Sequence, residues 1–224
     1  MPPTRAGAVA ERLREMIKSG ELPAGTHLRQ ADFAERFGVS TTPVREAFVS
    51  LSREGLVTQD AHRGVVVFEP SFDELHGIYE ICIALEPLAT EIATKQLSED
   101  DLAALGKILA QMRDAKPARF VELNEQFHGR IYAAADRRRL LEMLDDVRGA
   151  AARYVGMGVM RYESEYRDAL QREHENILSA LKARAPKRAA RAMREHLEHS
   201  SEHATRRIAE LQASPATAPG RATG

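Results

Sequence analysis

Apolar residues recur at helical spacing along most of the 224-residue chain and at strand spacing in only one short region. Val9, Leu13, Met16 and Ile17 form a single stripe within Ala6–Ser19, and Gly20 stands where a helix C-cap belongs. The GELPAGT segment then reads as a turn. A second short helix is predicted from about Gln30 to Phe37, with Phe33, Ala34 and Phe37 inward and Gly38 as its stop. A third follows, capped by Thr42 with Pro43 in its first turn and ended by Gly55. It turns Val44, Ala47, Phe48 and Leu51 inward and Arg45, Val49, Ser52 and Arg53 outward. The β-rich runs LVTQ (Leu56–Gln59) and VVVF (Val65–Phe68) flank DAHRG, which predicts a hairpin.

Pro70 ends this region. Beyond it every period is helical. One helix runs to about Gln96, with a stripe of Leu75, Ile78, Tyr79, Ile81, Leu85, Leu88, Ala89 and Ile92. Five more are predicted over Ser98–Ala115, Ala118–Ala135, Arg138–Met160, Tyr162–Arg184 and Pro186–Gln212. Six helices of this length make a bundle. The expected fold class is therefore mostly α: an N-terminal winged helix-turn-helix domain over 1–68, a linker at 69–74, an all-α bundle over 75–212 and a disordered tail at 213–224.

The short Gly-containing turn between the second and third helices gives the first domain its functional expectation. A helix enters the major groove of DNA only when its first turn is exposed and its flank is anchored in a core. Arg45 lies in that first turn, and an arginine forks onto a guanine edge. Ser40, Thr41 and Thr42 offer hydroxyls and backbone amides to phosphate, while Arg63 and Gly64 occupy the hairpin tip. Residues 1–68 hold nine Lys and Arg against eight Asp and Glu, so any basic surface is local. The chain as a whole carries −1, which excludes a bulk electrostatic drive toward nucleic acid or anionic lipid. Aromatics are 5% of residues and Trp is absent, so the cores are aliphatic. The lone Cys82 rules out an intrachain disulfide. No run approaches the ~20 apolar residues of a membrane span, and the N-terminus lacks the apolar core of a secretion signal. A cytoplasmic protein with no membrane partner is expected.

Polar residues on inward stripes of the bundle mark its candidate chemistry. Asn124 and His128 are four apart and share a face with Leu123, Phe127 and Ile131. His174 lies on the stripe Leu170–Ile177–Leu181, and His196 on Ala189–Met193–Leu197. Three imidazoles and an amide oxygen suit Zn²⁺, Ni²⁺ or another first-row divalent ion, although each histidine taken singly also suits a hydrogen-bonded core position. His203 lies about 10 Å further along the last helix, too far to share the ion. His199 is expected aside, in solvent, and Glu173 and Glu195 about 100° off the faces of their histidines. An open three-histidine site could also activate water, so a metal-dependent hydrolase is the second reading.

The run LREMIKSGELPAGTHL…FAERFGVSTTPVREAFVSLSREGLV…HRGVVV resembles the winged helix-turn-helix of GntR-type bacterial transcription regulators over about residues 7–68. The resemblance implies binding of double-stranded operator DNA by a homodimer, with contacts at Thr42, Arg45, Arg63 and Gly64. Many members have arginine where this chain has Thr41, and an acidic–Arg pair where it has Gln30 and Ala31. Arg45 is therefore expected to carry more of the readout. ALEPLATEIA, LNEQFHGRIY, REHENILSAL and AMREHLEHS resemble the FadR-type (FCD) effector domain in its shorter, six-helix form. That likeness implies a metal held by Asn124, His128, His174 and His196, with Asn124 replacing a commoner Asp, and a small carboxylate effector at or beside it. Cys82 stands where such domains often have an arginine, so the counter-charge for an anionic effector has to come from the metal or from another residue such as Arg148.

Overall fold

The computed structural model describes residues 4–60, 64–156 and 164–213. They carry helices α1 (Arg5–Lys18), α2 (Gln30–Phe37) and α3 (Thr41–Arg53), strands β1 (His27–Leu28), β2 (Val57–Asp60) and β3 (Gly64–Val67), and then helices α4 (Phe72–Thr94), α5 (Glu99–Arg113), α6 (Pro117–Ala133), α7 (Arg138–Gly156), α8 (Ser164–Lys182) and α9 (Pro186–Ala213). Two compact units result. The first holds Met1–Ser71, Ala152–Met160 and the chain from Arg207 on; the second holds Phe72–Ala151 and Arg161–Arg206. Among the described residues no helix is long and apolar enough to cross a membrane.

In the first unit the helical stripes meet where their periodicity directs them. Leu13, Met16 and Ile17 of α1 are buried with Phe33 and Ala34 of α2 and Val44, Ala47, Phe48 and Leu51 of α3. Gly38 caps α2 in the left-handed region at φ 64°, a conformation that costs glycine little, and this sets the sharp turn into α3. Arg14 of α1 forks onto the Glu54 carboxylate at the end of α3 through bonds of 2.7 and 2.8 Å. The hydrogen bonds and charge of Arg14 hold Glu54 below the usual carboxylate range.

Two details differ from the sequence expectation. The helix-turn-helix carries three strands, not two: β1 pairs antiparallel with β3 in the order β1-β3-β2. A two-residue strand leaves no periodicity to detect, and only the proximity of Val65 and Val66 reveals it. Helix α3 also begins earlier. Ser40, extended at φ −72° and ψ 167°, is its N-cap, so Thr42 lies inside the helix and does not cap it. Pro43 stays within the first turn, where its missing N–H is not needed.

In the second unit α5 packs against α6 and α8, and α4 against α6. The described helices match the expected six to within a few residues, except that residues 157–160 and 162–163 of the expected helices and the tail from 214 lie outside the described residues. Helix α5 starts with a reciprocal cap. Ser98 Oγ accepts the Asp101 amide at 3.1 Å, and Asp101 accepts the Ser98 amide at 3.0 Å. Ser98→Ala should lower unfolding stability by about 1 kcal/mol in urea titration, since it removes the acceptor for one orphan amide. The α4 stripe is corrected. Ile81 and Leu88 are 47% and 48% exposed, and the buried face instead runs through Leu75, Ile78, Tyr79, Cys82, Glu86, Ala89 and Ala93. Helix α4 is rich in apolar residues on every side, so its hydrophobicity does not say which side is covered. The consequential member of the true face is the carboxylate of Glu86.

Candidate metal centre and nucleic-acid surface

Three helices deliver one histidine each to a common point: His128 from α6, His174 from α8 and His196 from α9. All three are buried, at 1%, 0% and 4% exposure. One ring nitrogen of each lies within 4.8 Å of the other two. The Nε2 atoms of His128 and His174 are 3.2 Å apart. Two nitrogens bound to one ion at about 2.0–2.1 Å stand roughly 2.8–3.4 Å from each other at octahedral or tetrahedral angles, so this spacing fits a shared first-row cation. Burial pushes the His128 and His174 imidazoles well below their ordinary pKa, which keeps them neutral and able to ligate. Asn124 sits one turn before His128 on α6 and is half-buried. His203 is buried and stacks on Tyr166 with ring centroids 3.5 Å apart.

The contacts of the outer ring nitrogens help set which side of each ring faces the common point. Tyr132 O–H donates to the Glu86 carboxylate, so its oxygen accepts from His128 Nδ1 at 2.9 Å. His196 Nδ1 donates to Glu173 at 2.9 Å. The Leu170 carbonyl, one turn back on α8, favours a proton on His174, although its Nδ1 makes no bond of good geometry. One nitrogen of each ring is thereby turned to a common buried point, where the Nε2 atoms of His128 and His174 stand within hydrogen-bond distance of each other. A divalent cation at that point would accept a lone pair from each of the three rings.

Arg148 is not a solvated surface arginine. It reaches the buried Glu86 at 3.2 Å and the exposed Glu125 at 2.9 Å, with its guanidinium 5.4 Å from the centre of the Tyr132 ring. Burial works against its charge, but Glu86, Tyr132 and Glu125 outweigh that and hold the pKa well above the ordinary value. Glu86 and Tyr132 were missed as site residues. A signal existed: Tyr132 follows His128 by four, and Glu86 is spaced four from Cys82 and Thr90 on the covered face. Glu173 points away from the face of His174, as its position on α8 predicts, and that direction carries it onto His196 and His199 of the neighbouring α9. His199 is accordingly half-exposed and paired, not free in solvent.

The α3 end of the first unit presents a different chemistry. Ser40, Thr41, Thr42 and Arg45 are all exposed, and Ser40 makes no side-chain capping bond. Arg45 is tied to no acid among the described residues, unlike Arg12, Arg14 and Arg36. Gly64 opens β3 at φ 76°, where a side chain would be strained. Arg63 lies outside the described residues.

Residues 5–67 match the bacterial regulatory proteins of the gntR family, and residues 77–199 match the FCD domain. The chain belongs to the GntR family, in its FCD-bearing branch. This GntR regulator is 29% identical over 194 residues to the HTH-type transcriptional repressor RspR of Escherichia coli (strain K12), covering 85% of this chain and 84% of that protein. It is 27% identical over 198 residues to the HTH-type transcriptional regulator YdhC of Bacillus subtilis (strain 168), covering 86% and 87%. Among solved structures, a GntR-family transcriptional regulator from Pseudomonas syringae pv. tomato str. DC3000 superposes with a TM-score of 0.56 at 27% identity, over 93% of this chain and 88% of that one. These named relatives are transcription regulators, and DNA binding through the winged domain is what their family implies.

Proposed function

We propose that this GntR regulator binds operator DNA as a homodimer and adjusts that binding to a small carboxylate held at a metal in the FCD domain. The observation that carries the reading is the convergence of three buried imidazoles, two of which turn their outer nitrogens to partners, His128 to Tyr132 and His196 to Glu173. His128, His174 and His196 would hold the ion, with Asn124 as the oxygen donor. A set of three imidazoles and one amide oxygen suits Zn²⁺ or Ni²⁺. A bound ion supplies a Lewis-acidic anchor for a carboxylate. Arg148, whose Nη2 bonds both oxygens of the exposed Glu125, could offer that nitrogen to the effector in Glu125's place. In the winged domain, Arg45 would read a base edge, supported by Ser40, Thr41 and Thr42 at the helix N-terminus and by Arg63 and Gly64 at the wing.

Two observations favour regulation over metal-dependent hydrolysis. The named relatives are regulators, and the carboxylates nearest the cluster are engaged with histidine, tyrosine or arginine instead of standing free as a base. The test is selection from a random duplex library, with the bound fraction then measured before and after metal chelation. Enrichment of an inverted repeat is expected, with half-sites spaced for a two-fold dimer. No enrichment of any duplex would sink the reading. Chelation should also lower thermal stability: at free metal 100 times the dissociation constant the ion contributes about 2.7 kcal/mol. A melting scan with and without chelator checks that loss.

A further inference from the structure

The three histidines are not supported equally. His174 has only a backbone carbonyl behind it. His128 reaches a carboxylate at one remove, through Tyr132 to Glu86, and Arg148 shares that carboxylate. His196 alone donates directly to a carboxylate, Glu173. The second oxygen of Glu173 is taken by His199 Nδ1, so the carboxylate is clamped between two rings of α9 and has little freedom to turn away. It is also poorly exposed, with 22% of its side-chain surface open. An anionic acceptor on Nδ1 fixes the Nδ1–H tautomer and raises the electron density at Nε2. A carboxylate one ring away from a cation also contributes Coulomb attraction that a neutral acceptor does not.

Resting on the reading of the histidine cluster as a metal site, we propose that Glu173 is its positioning residue: it locks His196 with Nε2 toward the ion and supplies the negative charge that a neutral Asn124 does not. Glu86 acts in the same sense on His128, more weakly, because a tyrosine hydroxyl intervenes and Arg148 offsets its charge. Retention of the ion is thus set from outside the ligand set, by a residue next to His174 in sequence that serves the histidine of another helix.

The full-length protein, stripped with chelator, is titrated with Zn²⁺ at one fixed pH against a chromophoric competitor, and the tautomer of His196 is read from imidazole ¹⁵N shifts. Glu173→Ala should weaken Zn²⁺ binding by roughly 10–100-fold, the usual effect of removing an outer partner of a metal-bound histidine, and should release the Nδ1–H preference of His196. Glu173→Gln keeps an acceptor oxygen with almost no change of shape. It should retain the tautomer yet still bind Zn²⁺ more weakly, because the charge is gone. Glu175→Gln, on the same helix and paired with Arg113 and Gln171 outside the cluster, is the control and should match the parent. Parental affinity and an unchanged His196 tautomer in both Glu173 variants would overturn the proposal while leaving the metal site standing. If the parent itself takes up no Zn²⁺, the metal reading fails and this proposal fails with it. Glu173→Gln guards against the possibility that Glu173→Ala simply disturbs the α8–α9 contact, since a structural role alone would not separate tautomer from affinity.

Discussion

Arg45→Ala is expected to abolish sequence-specific DNA binding while leaving the fold intact. The side chain is exposed and makes no internal ion pair among the described residues, so its removal opens no cavity and strands no acid. The helix beneath it is anchored by Val44, Ala47, Phe48 and Leu51, which remain in place. A bidentate arginine–guanine contact discriminates by about 1–3 kcal/mol, and a dimer loses it at both half-sites, so specific affinity should fall by about 2–6 kcal/mol. Thr41 sharpens this expectation, because it offers no second guanidinium at the start of α3 to share the readout. Gel retardation of the selected duplex checks it, alongside a melting scan that should be unchanged. Retardation equal to the parent's would remove Arg45 from the readout and shift attention to the wing.

His174→Ala should lose the metal altogether. The ring is fully buried and its Nε2 stands 3.2 Å from that of His128, and among the described residues no further His, Cys, Asp or Glu joins the three-histidine group to substitute for it. The loss should exceed the roughly 10–100-fold that removing an outer partner of a ligand costs. Elemental analysis after dialysis checks this: the parent should retain about one ion per chain and the variant close to none. Because Phe127 packs edge-on against this ring, 5.0 Å between centroids, the truncation also leaves a small void. Comparison of metal-free parent and variant separates that packing cost from the ion's contribution. Full occupancy in the variant would exclude His174 as a ligand.

The division between what was legible in the chain and what was not follows the range of the interactions. Helix existence and length come from local periodicity, and α1 to α9 fall where Leu13–Met16–Ile17, Val44–Phe48–Leu51 and the later stripes place them. The turn at Gly38 and the box at Ser98 are local as well, since each is a bond between residues three or four apart. His128, His174 and His196 could be nominated for the same reason: each breaks an apolar stripe on its own helix. The exceptions were equally physical. Strand β1 is too short to have a period, and α4 is apolar on all sides, so Ile81 and Leu88 read as core although both are exposed.

By itself the sequence determined the order of the helices and the hairpin, the winged helix-turn-helix, the six-helix bundle and the three inward histidines, because short-range spacing encodes all of these. Only the tertiary structure decided what stands behind each histidine. Glu86 behind Tyr132 and His128, Glu173 behind His196 and Arg148 between Glu86 and Glu125 are partners from different helices, separated by more than twenty residues. Their electrostatic partnership depends on how the helices pack, and no spacing along one helix records that.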